Sequence, residues 1–159
     1  MMAVDMNVTH WHTKSKEETE KVGAAVAKQL LPGDIVLLHG DLGAGKTTFV
    51  KGLAEGLGIT EEILSPTFTL MNVYDMKTLK HENIKTFVHV DTYRLKSAQE
   101  MIDIGIEDYL GDPETVCIIE WPEKIQSLLT DKKILKMTLE HTGENSRRIT
   151  MHPRMYRTE

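Results

Sequence analysis

Apolar residues recur along the chain with two different periods, and the switches between them divide it into elements. Residues 6–13, "MNVTHWHT", alternate and predict an early strand. Ser15 and Glu18 then stand at capping-box spacing. Val22, Ala25, Val26 and Leu30 recur at the helical period until "PGD" at 32–34 closes the element. "IVLLH" follows as a continuous apolar strand, and after a glycine-rich stretch Val50, Leu53, Ala54 and Leu57 form the stripe of a second helix ended by Gly58. "FTLMNVY" and "IKTFVHVD" predict strands joined through the polar connection "DMKTLKHEN", a hairpin or a longer loop. Ser97 and Glu100 repeat the capping-box spacing ahead of a short helix through "AQEMIDIG". "TVCIIE" is another continuous apolar strand, and Pro122 starts a helical turn through "EKIQSLL". "KILKMTLEH" and "RRITMH", joined by "TGEN", make a terminal hairpin by pattern. This order predicts an α/β fold, a mainly parallel sheet flanked by helices with an antiparallel margin. With no repeat, low-complexity tract or linker to divide it, the chain is expected to form one domain over residues 1–159, the part after about 150 being a basic tail.

Composition changes this picture little. A chain of 159 residues, 40% hydrophobic and 27% charged, suits one cored domain. The formal net charge of -5 argues against a generic nucleic-acid coat, because such binding is driven by excess Lys and Arg. No aliphatic run is long enough to span a bilayer and the start carries no basic segment followed by an apolar one, so a cytoplasmic protein without membrane contact is expected. The single cysteine, Cys117, lies inside an apolar strand and is expected to pack as an inert hydrophobe.

The candidate chemistry sits between "IVLL" and the second helix. Gly40, Gly45, Lys46 and Thr47 fit G-x-x-x-x-G-K-[ST], a Walker A sequence, with Gly43 as an extra glycine. Residues without Cβ let successive backbone N–H groups curl around phosphate oxygens, and the following helix turns its positive end toward them. Asp41, Leu42, Gly43, Ala44, Gly45, Lys46, Thr47 and Thr48 are the expected nucleotide-binding residues, with Lys46 on the β- and γ-phosphates and the Thr47 hydroxyl on Mg²⁺. The fold expected is therefore P-loop NTPase-like, with ATP and Mg²⁺ as ligands; the boxes that recognise guanine are absent.

Such a site needs a carboxylate beside the metal and a polar group to orient water. "TFVHVD" ends in Asp91 and "TVCIIE" in Glu120, each a buried run delivering a carboxylate where α/β sheets place their ligands. Thr47, Asp91 and Glu120 are the metal-side candidates, and Lys46, Asp91 and Glu120 the catalytic ones. His89 shares a strand face with Asp91 and could orient it, although a hydrogen-bonded structural histidine is the default there and at His39. Arg94 is either a phosphate-stabilising or a surface arginine. Arg147, Arg148, Arg154 and Arg157 make the end locally basic, able to touch RNA or an acidic partner, with a solvated tail as the default.

"GDLGAGKTTF", "SPTFTL", "HVDTYRL" and "IIEWPE", in that order and spacing, resemble the TsaE family, P-loop ATPases of bacterial tRNA threonylcarbamoyladenosine formation. The resemblance runs from about Ser15 to about Ile149. It implies cytoplasmic work with TsaD and TsaB, which transfer threonylcarbamoyl to tRNA while the ATPase supports turnover, so that tRNA is met through the complex. It also implies Lys46 and Thr47 on phosphate and metal, Asp91 as the Mg²⁺-side carboxylate, Glu120 as the catalytic one, and Ser65, Pro66 and Thr67 in a switch. Trp121 is either an adjacent packing residue or part of a partner surface, with burial as the default. Two other readings share the Walker A: a small-molecule kinase, and a binding module gated by nucleotide without significant hydrolysis.

Overall fold

The computed structural model describes residues 8–76 and 83–156. The elements run β1 (Thr9–Thr13), α1 (Lys16–Ala27), β2 (Ile35–His39), α2 (Lys46–Leu57), β3 (Met71–Asp75), β4 (Thr86–Asp91), α3 (Ala98–Asp103), β5 (Thr115–Glu120), β6 (Lys133–His141), β7 (Arg147–Met151) and β8 (Met155–Tyr156). Tight 3₁₀ turns at Ile106–Asp108 and Pro122–Leu128 bracket β5. The strands form one sheet in the order β1-β7-β6-β2-β5-β4-β3, with β8 also paired to β6. The centre β6-β2-β5-β4 is parallel and the margins β1-β7-β6 and β3-β4 are antiparallel, as the element order predicts. Among the described residues, no helix is long and apolar enough to cross a membrane.

The central strands are buried on both faces, which is why "IVLL" and "TVCIIE" read as unbroken apolar runs. Val36, Leu38, Phe87, Val116 and Ile118 pack beneath α1 and α2. Ile35, Leu37, Val88, Val90, Cys117 and Ile119 pack beneath α3 and the 3₁₀ turns. Two-residue periodicity then fixes where the strand ends aim: His89 and Asp91 share the parity of Phe87, and Glu120 that of Ile118. All three therefore point to the face of the sheet that carries α2.

Three local readings change. The buried face of α1 includes Gly23 and Ala27, whereas Ala25 is exposed. The reason is close helix contact, since a Cβ at Gly23 would lie 2.4 Å from Phe49 O and one at Gly52 2.0 Å from Glu20 O. The strand expected from Phe68 starts only at Met71, because Leu70 N–H bonds Pro66 O at 2.6 Å and Leu70 takes φ +68°, leaving Phe68 in a turn. Ser15 caps α1 through Glu18 N–H at 3.1 Å, but the Ser97 side chain makes no such bond; Glu100 instead accepts from Lys96 N–H at 3.2 Å. Residues 77–82 of the connection "DMKTLKHEN" lie outside the described residues, as does Arg157.

Candidate functional site

β2 runs into a loop whose glycines adopt backbone angles that L side chains resist, Gly43 at φ +78° and Gly45 at φ +97°. Gly45 is the N-cap of α2 and supplies no side-chain cap, so the first N–H groups of the helix stay available at its positive end. Gly40 is constrained differently: a Cβ there would meet Leu139 O at 2.8 Å. The loop borders a cleft of about 580 Å³. Leu42, Gly43, Gly45, Lys46, Thr47 and Thr48 line it from the loop and helix, Ser65 and Thr67 from the segment before β3, and Asp91 and Glu120 from the ends of β4 and β5. Asp41, Ala44 and Pro66 do not line it; Ala44 and Pro66 are buried behind it and Asp41 is exposed.

Lys46 is only 6% exposed. Its ammonium donates to Gly40 O at 2.6 Å and lies 3.5 Å from the centre of the Trp121 ring. Burial pushes its pKa below the ordinary lysine value, against the opposing pull of Glu120, Asp91 and more distant carboxylates. A desolvated cation facing an open cleft is a site for anionic oxygen. Trp121 is thus half-buried at the edge of the cleft with φ +59°, rather than packed in the interior, because the chain must turn sharply after β5 into the 3₁₀ segment.

Asp91 and Glu120 are directly opposed partners in the β4–β5 ladder and are 5% and 3% exposed. Asp91 accepts from the Thr67 hydroxyl at 3.0 Å and from Tyr93 N–H at 2.9 Å, and Ser65 in turn bonds Thr67 at 2.8 Å. The "SPT" segment is thereby tied to the β4 carboxylate. Glu120 Oε2 pairs with His89 Nε2 at 2.6 Å. His89 is fully buried, and among the described residues its Nδ1 has no hydrogen-bond partner. An ionised carboxylate only accepts, so Nε2–H is the donor in this bond. His89 is a hydrogen-bonded histidine, and the group it bonds is the β5 carboxylate. His39 bonds Glu123 at 3.0 Å, away from the cleft lining. Cys117 is buried and its thiol is pushed up to about 12 by desolvation.

Of the arginines of the end, Arg147, Arg148 and Arg154 lie within the described residues, and each is bonded to the folded domain rather than left in a solvated tail. Arg148 pairs with its cross-strand partner Glu140, and Arg154 forks onto the buried Asp34 at 2.7–3.2 Å while also donating to Gln29 O. Arg147 lines the cleft and donates to Ala44 O and Gly43 O. Antiparallel pairing of β7 and β8 carries these side chains back over the domain, which spacing along the chain does not reveal. Arg94 is exposed at the cleft rim, stacked 4.6 Å from the centre of the exposed Phe68 ring. Tyr93 after β4, Ser15, Lys16 and Thr19 from the start of α1, and Asn145 from the β6–β7 turn complete the lining.

The chain matches the family model "Threonylcarbamoyl adenosine biosynthesis protein TsaE" over residues 13–149. It is similar to the tRNA threonylcarbamoyladenosine biosynthesis protein TsaE of Bacillus subtilis, 38% identical over 91% of this chain and 85% of that one. The protein of the same description from Treponema pallidum is 42% identical over 87% of this chain and 96% of that one. The crystal structure of Bacillus subtilis YdiB superposes with a TM-score of 0.74 at 34% identity, covering 92% of this chain and 86% of the other. On this agreement of model, relatives and fold, the chain belongs to the TsaE family of tRNA threonylcarbamoyladenosine biosynthesis proteins.

Proposed function

We propose that the chain is a Mg²⁺-dependent cytoplasmic ATPase that supports threonylcarbamoyl transfer to adenosine of tRNA, the transfer itself being performed by TsaD with TsaB. One observation carries the reading: buried Lys46, the open N-terminus of α2, and two carboxylates from neighbouring strands converge on a single cleft. The residues present suit the nucleotide and its metal. Positive-φ glycines form a cradle, and a desolvated ammonium faces it. The Thr47 hydroxyl and Asp91 are hard oxygen donors of the kind Mg²⁺ takes.

Bound Mg²⁺ would neutralise charge on the phosphate oxygens. The chain's own residues divide the rest. Lys46 has three donor hydrogens, so it can keep Gly40 O and still reach phosphate oxygens. Asp91, held at one oxygen by the Thr67 hydroxyl and at the other by Tyr93 N–H, would hold the metal together with Thr47. Release or engagement of Thr67 would report the γ-phosphate to the 65–67 segment, as in other switch loops. Glu120, with Oε2 held by His89, keeps Oε1 to take a proton from the attacking water.

The test measures ATP binding by calorimetry and phosphate release by steady-state assay, alone and with TsaD and TsaB. Lys46→Ala is expected to abolish tight binding. Glu120→Gln is expected to bind ATP normally and to turn over about 10²-fold more slowly. In reconstituted tRNA modification, Glu120→Gln should hold the system near one modified tRNA per complex. Wild-type turnover by Glu120→Gln would remove Glu120 from the chemistry, and equal multiple-turnover yields would remove hydrolysis from the cycle.

A further inference from the structure

A glycine-rich loop can cradle phosphate only if its peptides face the right way, and glycine peptides flip more readily than others. Something outside the loop must hold them. Arg147, the first residue of β7, is placed to do so: Nε donates to Ala44 O at 2.9 Å and Nη2 to Gly43 O at 3.2 Å. The other arm, Nη1, donates to Gly143 O, Glu144 O and Ser146 O at 3.3, 3.2 and 2.9 Å. All five bonds go to backbone carbonyls, three on the β6–β7 turn and two on the phosphate loop. That turn is itself closed by Thr142 N–H on Ser146 O at 3.0 Å.

The planarity of the trans peptide converts carbonyl direction into N–H direction, because the C=O of one residue and the N–H of the next point opposite ways. With Ala44 O drawn onto Arg147, the Gly45 N–H is turned away from the arginine. The Gly43–Ala44 peptide is pinned at both ends, its carbonyl by Arg147 and its N–H by Asp41 O at 3.0 Å. We infer that Arg147 is a positioning residue that pre-sets the phosphate loop, coupling it to the β6–β7 turn and removing ordering entropy that the ligand would otherwise have to supply. The inference rests on the nucleotide-binding reading above but concerns the phosphate groups alone, whatever base they carry.

That distinction sets the experiment. Binding of ATP and of inorganic tripolyphosphate, which has no base, is measured by calorimetry on the full chain carrying Arg147→Ala or Arg147→Lys. Loop positioning predicts that both ligands weaken by about tenfold in both variants, since lysine carries the charge but cannot fork between two carbonyls. Guanidinium ion, well below denaturing concentrations, should restore part of the affinity to Arg147→Ala, and ammonium should not. Tripolyphosphate binding at wild-type strength with ATP weakened would mean direct contact with the nucleoside and overturn the inference. So would unchanged affinity in either folded variant, and Arg147→Lys decides the matter if Arg147→Ala fails to fold. Wild-type protein that binds neither ligand would overturn the proposed function, and the inference with it.

Discussion

His89 shows what one buried side chain can settle. Its ring is fully buried, and its hydrogen bond, the one it makes among the described residues, holds the carboxylate proposed to act on water. His89→Leu keeps the site apolar and removes only that bond, so turnover at saturating ATP should fall about tenfold, the effect of about 1.4 kcal/mol, with ATP affinity little changed. His89→Gln places an amide N–H near the position of Nε2 and should recover most of the rate. Equal rates for His89→Leu and wild type, in a steady-state phosphate-release assay, would show that Glu120 is oriented by something else. The face that His89 shares with Asp91 is legible from strand periodicity alone. Its bond to Glu120 is not, because that requires knowing that β4 and β5 are neighbours with Asp91 opposite Glu120.

Among the elements, α1 and α2 pack closely against each other over one face of the sheet. The two helices meet through Gly23, Gly52 and Gly56, where a Cβ would meet atoms of the other helix at 2.0–2.7 Å. Helix propensity alone says that alanine at such positions should stabilise by up to about 1 kcal/mol. Close approach reverses the sign. Gly52→Ala forces α2 away from Glu20 O and is expected to cost about 1–3 kcal/mol, the usual range for overpacking, which a thermal melt would show as a lower midpoint. A raised midpoint would mean that the helices are not in this contact. The stripe of α2 could be read from its sequence, since Val50, Leu53, Ala54 and Leu57 are all buried. The face of α1 is not legible in the same way, because glycine adds nothing to a hydrophobic pattern even where, as at Gly23, it forms the contact, and Ala25 is exposed.

For the molecule as a whole, acid stability gives an accessible measurement. Burial pushes the pKa of His39 below the ordinary value, more than the adjoining Glu123 raises it. His152 is lowered too, first by burial and then by Lys136, His10 and His39. In both, the unfolded chain takes up the proton first as pH falls, so acidification through about pH 6.5 draws the equilibrium toward unfolding until the folded-state pKa is also passed. The melting midpoint should therefore drop between about pH 7.5 and 5.5, and less so in His39→Gln and His152→Gln proteins. The same drop in all three would place the sensitivity elsewhere. The sequence by itself determined the α/β class, the parallel centre with an antiparallel margin, the glycine-rich loop between β2 and α2 and the two strand-end carboxylates. Those features are written in local periodicity and in residue types with few other uses at such spacing. Only the tertiary structure decided that Trp121 covers Lys46, that His89 holds Glu120, and that Arg147 reaches the glycine-rich loop. Each of these joins residues separated by 31 to 103 positions or lying on different elements, and only strand pairing brings them within bonding distance.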